Sequence, residues 1–150
     1  MSVDIRVKPR FSSRVARARL TCIARKTLHA EKVNAALTIY ITDDVEIRKL
    51  NRAFHGTDAP TDVLAFPLQI EERSMGERLV KRPYIGDIII SYERAHIQAR
   101  MAGWCIADEL DLLAVHGILH LLSYDDRTPR KRAKMWKRQA EILGRVAGDI

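Results

Sequence analysis

The stretch AVHGILHLLSYDDRTPRKRAK, Ala114 to Lys134, decides how the rest of the chain is read. Its first half has the leucines and isoleucine of a buried helix, yet it carries His116 and His120 one turn apart. Positions four apart lie on one face of an α-helix, so the two imidazoles can converge. A lone histidine in such a helix is usually a core residue whose ring has found a hydrogen-bond partner. Two at this spacing each need a partner or a metal, because a buried imidazole left unpaired is costly. Asp126 follows six residues after His120, beyond a turn at Ser123 and Tyr124 that can bring a carboxylate back over the helix end. The pattern H-x3-H-x5-D offers three protein ligands and leaves a fourth position for water. That is the arrangement of a catalytic rather than a structural zinc site. It is not the peptidase signature H-E-x-x-H, since Gly117 follows His116 where the general-base glutamate would stand. Glu109, seven residues before His116, could be an outer partner for an imidazole N–H or an exposed surface group. Gly117 costs a helix interior roughly 1 kcal/mol relative to alanine. It is useful where another backbone passes close by or where the core is tight.

Working outward, Asp108 is expected to start the helix, which runs through Leu122, and Pro129 opens a final helix after the SYDDRTP turn. Upstream, VDIRVK (Val3 to Lys8), ALTIYIT (Ala36 to Thr42), DVLAFPL and YIGDIIIS (Tyr84 to Ser91) read as strands. Ser12 or Ser13 can cap a helix to about His29, and Asp43 with Glu46 reads as a capping box for a helix to about Phe54. Ser91 can cap a helix to about Ala102, closed by Gly103. HGTDAPT is loop, and QIEERSMGERLVKRP is a polar excursion, read as a hairpin. Strands and helices mix without strict alternation. The expectation is therefore α+β, one mixed sheet with helices packed on it, in a single domain spanning residues 1–150.

Charge is unevenly spread. Nine Lys/Arg face one acid between Ile5 and Lys32, and seven face none between Arg127 and Arg138. Between them, Met101 to Asp126 holds five acids and no Lys/Arg. Such runs are either solvated helix faces or a polyanion footprint. No apolar run is long enough for a membrane span, and the opening residues lack the apolar segment of a secretory signal. Cys22 and Cys105 form no C-x-x-C pair, as expected of free thiols in the cytoplasm.

The segment VHGILHLLSYDD resembles the H-G-x-L-H-L-x-G-Y-D-H signature of the YbeY family of bacterial endoribonucleases. LNRAFHGTDAPTDVLAFP (Leu50 to Pro67) and GDIIIS (Gly86 to Ser91) are similar to two further motifs of that family, in the same order and spacing. The resemblance covers essentially the whole chain. It implies a fold related to zinc metalloproteases, one zinc-type ion held by three histidines, and cleavage of single-stranded RNA. It also implies roles in maturing the 3′ end of 16S ribosomal RNA and in ribosome quality control, with the ribosome as partner and no membrane. Carried over by position, the metal ligands are His116, His120 and Asp126, the last replacing a family histidine. His55 replaces the family arginine near the metal, Ser123 a motif glycine and Ala65 a motif serine. A carboxylate ligand cancels one unit of metal charge and admits harder divalent ions than zinc. His55 can offset charge on a phosphate as a cation only when protonated, whereas arginine always can. Arg127, Arg130, Lys131 and Arg132 are the expected RNA-backbone contacts. Three other functions share parts of the pattern. They are a zinc peptidase, an assembly factor with weakened catalysis, and a non-haem iron oxygenase built on two histidines and a carboxylate.

Overall fold

A computed structural model of the chain describes residues 1–68 and 83–144. Strands β1 (Ser2–Val7), β2 (Ala36–Thr42), β3 (Val63–Pro67) and β4 (Tyr84–Ser91) form one mixed sheet in the order β1-β2-β4-β3. β1 and β4 each pair parallel with β2, and β3 runs antiparallel along the outer side of β4. Helices α1 (Arg17–Ala30), α2 (Asp44–His55), α3 (Tyr92–Ala102), α4 (Ile106–Leu121) and α5 (Pro129–Leu143) complete the described residues. None of these helices is long and apolar enough to cross a membrane. The α+β class and the single mixed sheet are as the sequence implies.

The period of two in the strands sorts their side chains between two faces. Leu37, Ile39 and Ile41 of β2, with Ile88 and Ile90 of β4, enter the main core beneath α1, α3 and α4. Ile89 and Leu64 point the other way and pack with Ile47 of α2. α4 is enclosed on two sides. Ala114 and Ile118 meet the sheet core, while Val115 and Leu119 meet Met135 and Ile142 of α5. From Glu109 to Leu121 only Leu112, His116 and His120 escape full burial, and they are spaced four residues apart on one line.

Several boundaries differ from the sequence reading, each for a local reason. Neither Ser12 nor Ser13 caps α1. Residues Pro9–Arg14 form a 3-10 turn, and α1 starts at Arg17 without a side-chain cap. The turn buries Phe11, whose ring stacks on Tyr92 at 4.7 Å, so a core contact displaces the helix start. α4 begins two residues before Asp108, which sits in its first turn and accepts a hydrogen bond from the Cys105 main-chain N–H at 3.3 Å. Only half the box expected at Asp43 forms. Asp43 accepts from the Glu46 N–H at 2.9 Å, but the Glu46 side chain turns to the hydroxyls of Tyr40 and Thr42. The expected hairpin between β3 and β4 lies outside the described residues.

After α4 the chain reverses through Ser123, whose φ of 77° places a non-glycine residue in the left-handed region. The Ser123 N–H donates to His120 O and the Tyr124 N–H to Leu119 O, both at 3.0 Å. Thr128 then caps α5 by accepting from the Lys131 N–H at 3.2 Å. A left-handed conformation costs an L-residue about 1–2 kcal/mol, and glycine's extra freedom when unfolded costs about 0.5–1 kcal/mol. Ser123→Gly should therefore raise stability by about 0.5–1 kcal/mol in denaturant titration. An unchanged or lower midpoint would contradict a strained turn.

Candidate metal centre

The line of α4 that escapes burial carries both histidines. Their Nε2 atoms face each other at 3.1 Å with the rings edge to face. Asp126 comes back over the helix end, its Oδ2 lying 4.0 Å from His120 Nε2. Among the described residues these three form the group whose ligand atoms converge, all within 4.8 Å of one another. The neighbouring Asp125 turns elsewhere. It accepts from the Arg127 N–H at 3.1 Å and pairs with Lys131 at 3.5 Å.

Whether the group suits a metal can be judged from its own atoms. Two nitrogens bound tetrahedrally at about 2.0–2.1 Å stand roughly 3.3–3.4 Å apart. The 3.1 Å between the two Nε2 atoms is close to that edge, so the helix already holds them near a shared ion position. The opposite side of each ring is occupied. His116 Nδ1 lies 2.5 Å from Gln139 Oε1 on α5. A proton on that nitrogen, donated to the amide oxygen, leaves Nε2 with a free lone pair. His120 is hydrogen-bonded to the Tyr124 main chain. Burial, then the adjacent His116, push the His120 imidazole below the ordinary histidine range, against a smaller pull from Asp126. Those surroundings favour the neutral ring, the form that binds metals. Two imidazoles and one carboxylate fit a divalent ion.

The group opens into a groove of about 470 Å³ between α4 and β3, lined also by Asp62, Ala65 and His55. Gly117 sets its depth. A Cβ there would stand 2.7 Å from Ile88 Cγ2, so glycine lets α4 lie close on β4. The tight neighbour is a core side chain, not a passing backbone. His55 is the last residue of α2, followed by Gly56 in the left-handed region. It is exposed, and its ring stacks on Phe66 of β3 at 5.6 Å. It therefore shares a groove with the metal group although sixty-one residues separate it from His116 in the chain.

Glu109 does not serve as an outer partner of the imidazoles. It is buried, and it accepts hydrogen bonds from Trp104 Nε1 and Gln98 Nε2, both at 2.9 Å. The role falls to Gln139, which was not singled out in the sequence. Its signal was a glutamine on the same stripe of α5 as the buried Met135 and Ile142. Asp62 was also missed, and it lines the groove from the start of β3. Of the expected RNA contacts, Arg130 and Arg132 are exposed at the start of α5, while Arg127 and Lys131 share Asp125. Arg138 is committed to Glu31 at 2.6 Å. The basic residues of α1 ride on the β1 side of the sheet, and the groove runs along β3 at the opposite edge.

Comparison with known proteins supports one family. A family model described as Endoribonuclease YbeY matches residues 4–147. An "Endoribonuclease YbeY" of Roseiflexus sp. (strain RS-1) is 42% identical over 146 residues, covering 95% of this chain and 91% of that protein. One from Pelotomaculum thermopropionicum is 40% identical, covering 85% and 84%. The solution structure of TM1509 from Thermotoga maritima superposes with a TM-score of 0.54 at 26% identity, covering 95% of this chain and 89% of that one. With its fold, its motif order and nearly its whole length matched, the chain belongs to the endoribonuclease YbeY family.

Proposed function

We propose that this chain cleaves single-stranded RNA, ribosomal RNA above all, at a metal ion held by His116, His120 and Asp126. The observation that carries this reading is the convergence of those three side chains on an open groove that His55 also lines. When bound there, a divalent ion supplies Lewis-acid polarisation of a phosphate oxygen and acidifies coordinated water. Zinc suits the two imidazoles, and the Asp126 carboxylate admits manganese-like ions as well. His116 and His120 hold their donor atoms in place before binding, so little side-chain entropy remains to be lost. Gln139 and the Tyr124 main chain fix the two ring orientations. His55, when protonated, faces the scissile phosphate and offsets charge that builds on it. Arg127, Arg130, Lys131 and Arg132 lie just beyond Asp126 in the chain and hold the RNA backbone. Ribosome-bound precursor RNA, including the 3′ end of the 16S species, is the substrate this family role implies. A peptidase is disfavoured because Gly117 stands in place of the general base and Glu109 is engaged by Trp104 and Gln98.

Labelled single-stranded RNA tests the metal. Cleavage should stop with a chelator, return on adding zinc or manganese, and be lost in His116→Ala and His120→Ala. Undiminished cleavage in chelator would overturn the reading. A second expectation concerns His55. His55→Ala should slow cleavage by about 100- to 1,000-fold, as removing a charge-stabilising donor does. His55→Arg should keep most of the wild-type rate, because guanidinium supplies a permanent cation at the same place. Equal cleavage rates for wild type and His55→Ala would remove His55 from the mechanism.

A further inference from the structure

A second cavity, of about 420 Å³, lies between α3, α4 and α5, and it shares Asp62 and His116 with the metal groove. That volume falls in the range of small-ligand sites, roughly 300–1,000 Å³. One side is apolar, built from Leu113 and Leu143, with Trp136 at 56% exposure. The other side carries Asp62, Gln98 and Glu109. These three are wired together. Gln98 Nε2 donates to Asp62 Oδ2 at 3.2 Å and to Glu109 Oε2 at 2.9 Å. Glu109 is 4% exposed and still has acceptor sites, since a carboxylate offers about four and Trp104 and Gln98 use two.

We propose that this cavity takes one unpaired nucleobase of the RNA, next to the phosphate in the metal groove, with the base stacked on Trp136. The inference rests on the endoribonuclease reading above. Four observations select this occupant. The cavity and the groove meet at Asp62 and His116, so adjacent nucleotides of one strand can occupy the two. Two carboxylates repel a phosphate, so the base and not the backbone enters. An exposed indole provides the flat apolar surface on which bases stack. Trp136 also stands four residues beyond Arg132 on α5, so stacking and phosphate contacts alternate along one helix face. The polar side accepts hydrogen bonds, which favours a base presenting adjacent N–H donors. Guanine, with its ring N–H beside an amino group, fits best and uracil least.

The test is stopped-flow fluorescence anisotropy, which reads binding before cleavage. The probes are end-labelled single-stranded RNA heptamers in which one abasic nucleotide is moved along the chain. With the full-length wild type, one position should lose about tenfold in affinity when the base is removed. In Trp136→Ala that position should be no more sensitive than the others, and Trp136→Phe should restore most of the penalty. Guanine at that position should bind more tightly than uracil. A penalty of equal size in wild type and Trp136→Ala, or no sensitive position, would overturn the pocket, and equal affinity for guanine and uracil would overturn its polar side. If cleavage is intact in the same preparation, those results reject the pocket alone. A wild type that neither binds nor cuts any of these RNAs rejects both readings.

Discussion

The contact between Gly117 and Ile88 sets the position of everything at the site. No Cβ fits there without displacing a fully buried isoleucine of a central strand. Glycine is an expensive residue in a helix interior, costing roughly 1 kcal/mol against alanine. What it allows is an approach of α4 to β4 close enough that the next residues on either side of that contact line a groove with β3. α5 closes the opposite flank of α4 through Met135 and Ile142. The helix is thus left with one partly exposed line, and His116 and His120 occupy it. Their separation follows from helix geometry, and their common aim follows from the absence of any other open side.

Electrostatics then divide the surface. Around the groove stand the carboxylates of Asp62 and Asp126 with three imidazoles, and beyond Asp126 the chain turns abruptly basic. Asp125 and Asp126 are adjacent yet used differently. Asp125 is drawn into the first turn of α5 by Arg127 and Lys131, which hold its carboxyl below the usual range. Asp126 is left to face the imidazoles. A carboxylate at that point lowers the positive charge a bound ion would present. Gln139, a neutral amide, adds no second negative charge behind His116. The set is therefore acidic enough to attract a divalent ion without burying two uncompensated carboxylates, which would be costly.

Much of this was legible in the chain. A stretch rich in β-branched residues located β2 and an apolar run located β4, while the Ser91 cap and Pro129 located α3 and α5. The four-residue spacing of His116 and His120 anticipated a shared face. What escaped had its cause far off in sequence. Phe11 leaves no helical signal, because its turn exists to fill space against Tyr92. Glu109 shares a helix face with His116, yet Trp104 and Gln98 compete for it more closely. Gln139 looks like an ordinary polar residue until α5 is laid against α4. Helical periodicity shows which residues share a face, but it does not show which neighbour that face meets.

The proposed chemistry depends on the line of histidines on α4 holding, with Asp126, one divalent ion. Competitive titration of the metal-free chain with zinc against a chromophoric chelator tests this most directly, with His120→Ala titrated alongside. The wild-type chain should bind one zinc tightly, and His120→Ala should lose that tight site. Equal zinc affinity and stoichiometry in the two proteins would contradict it.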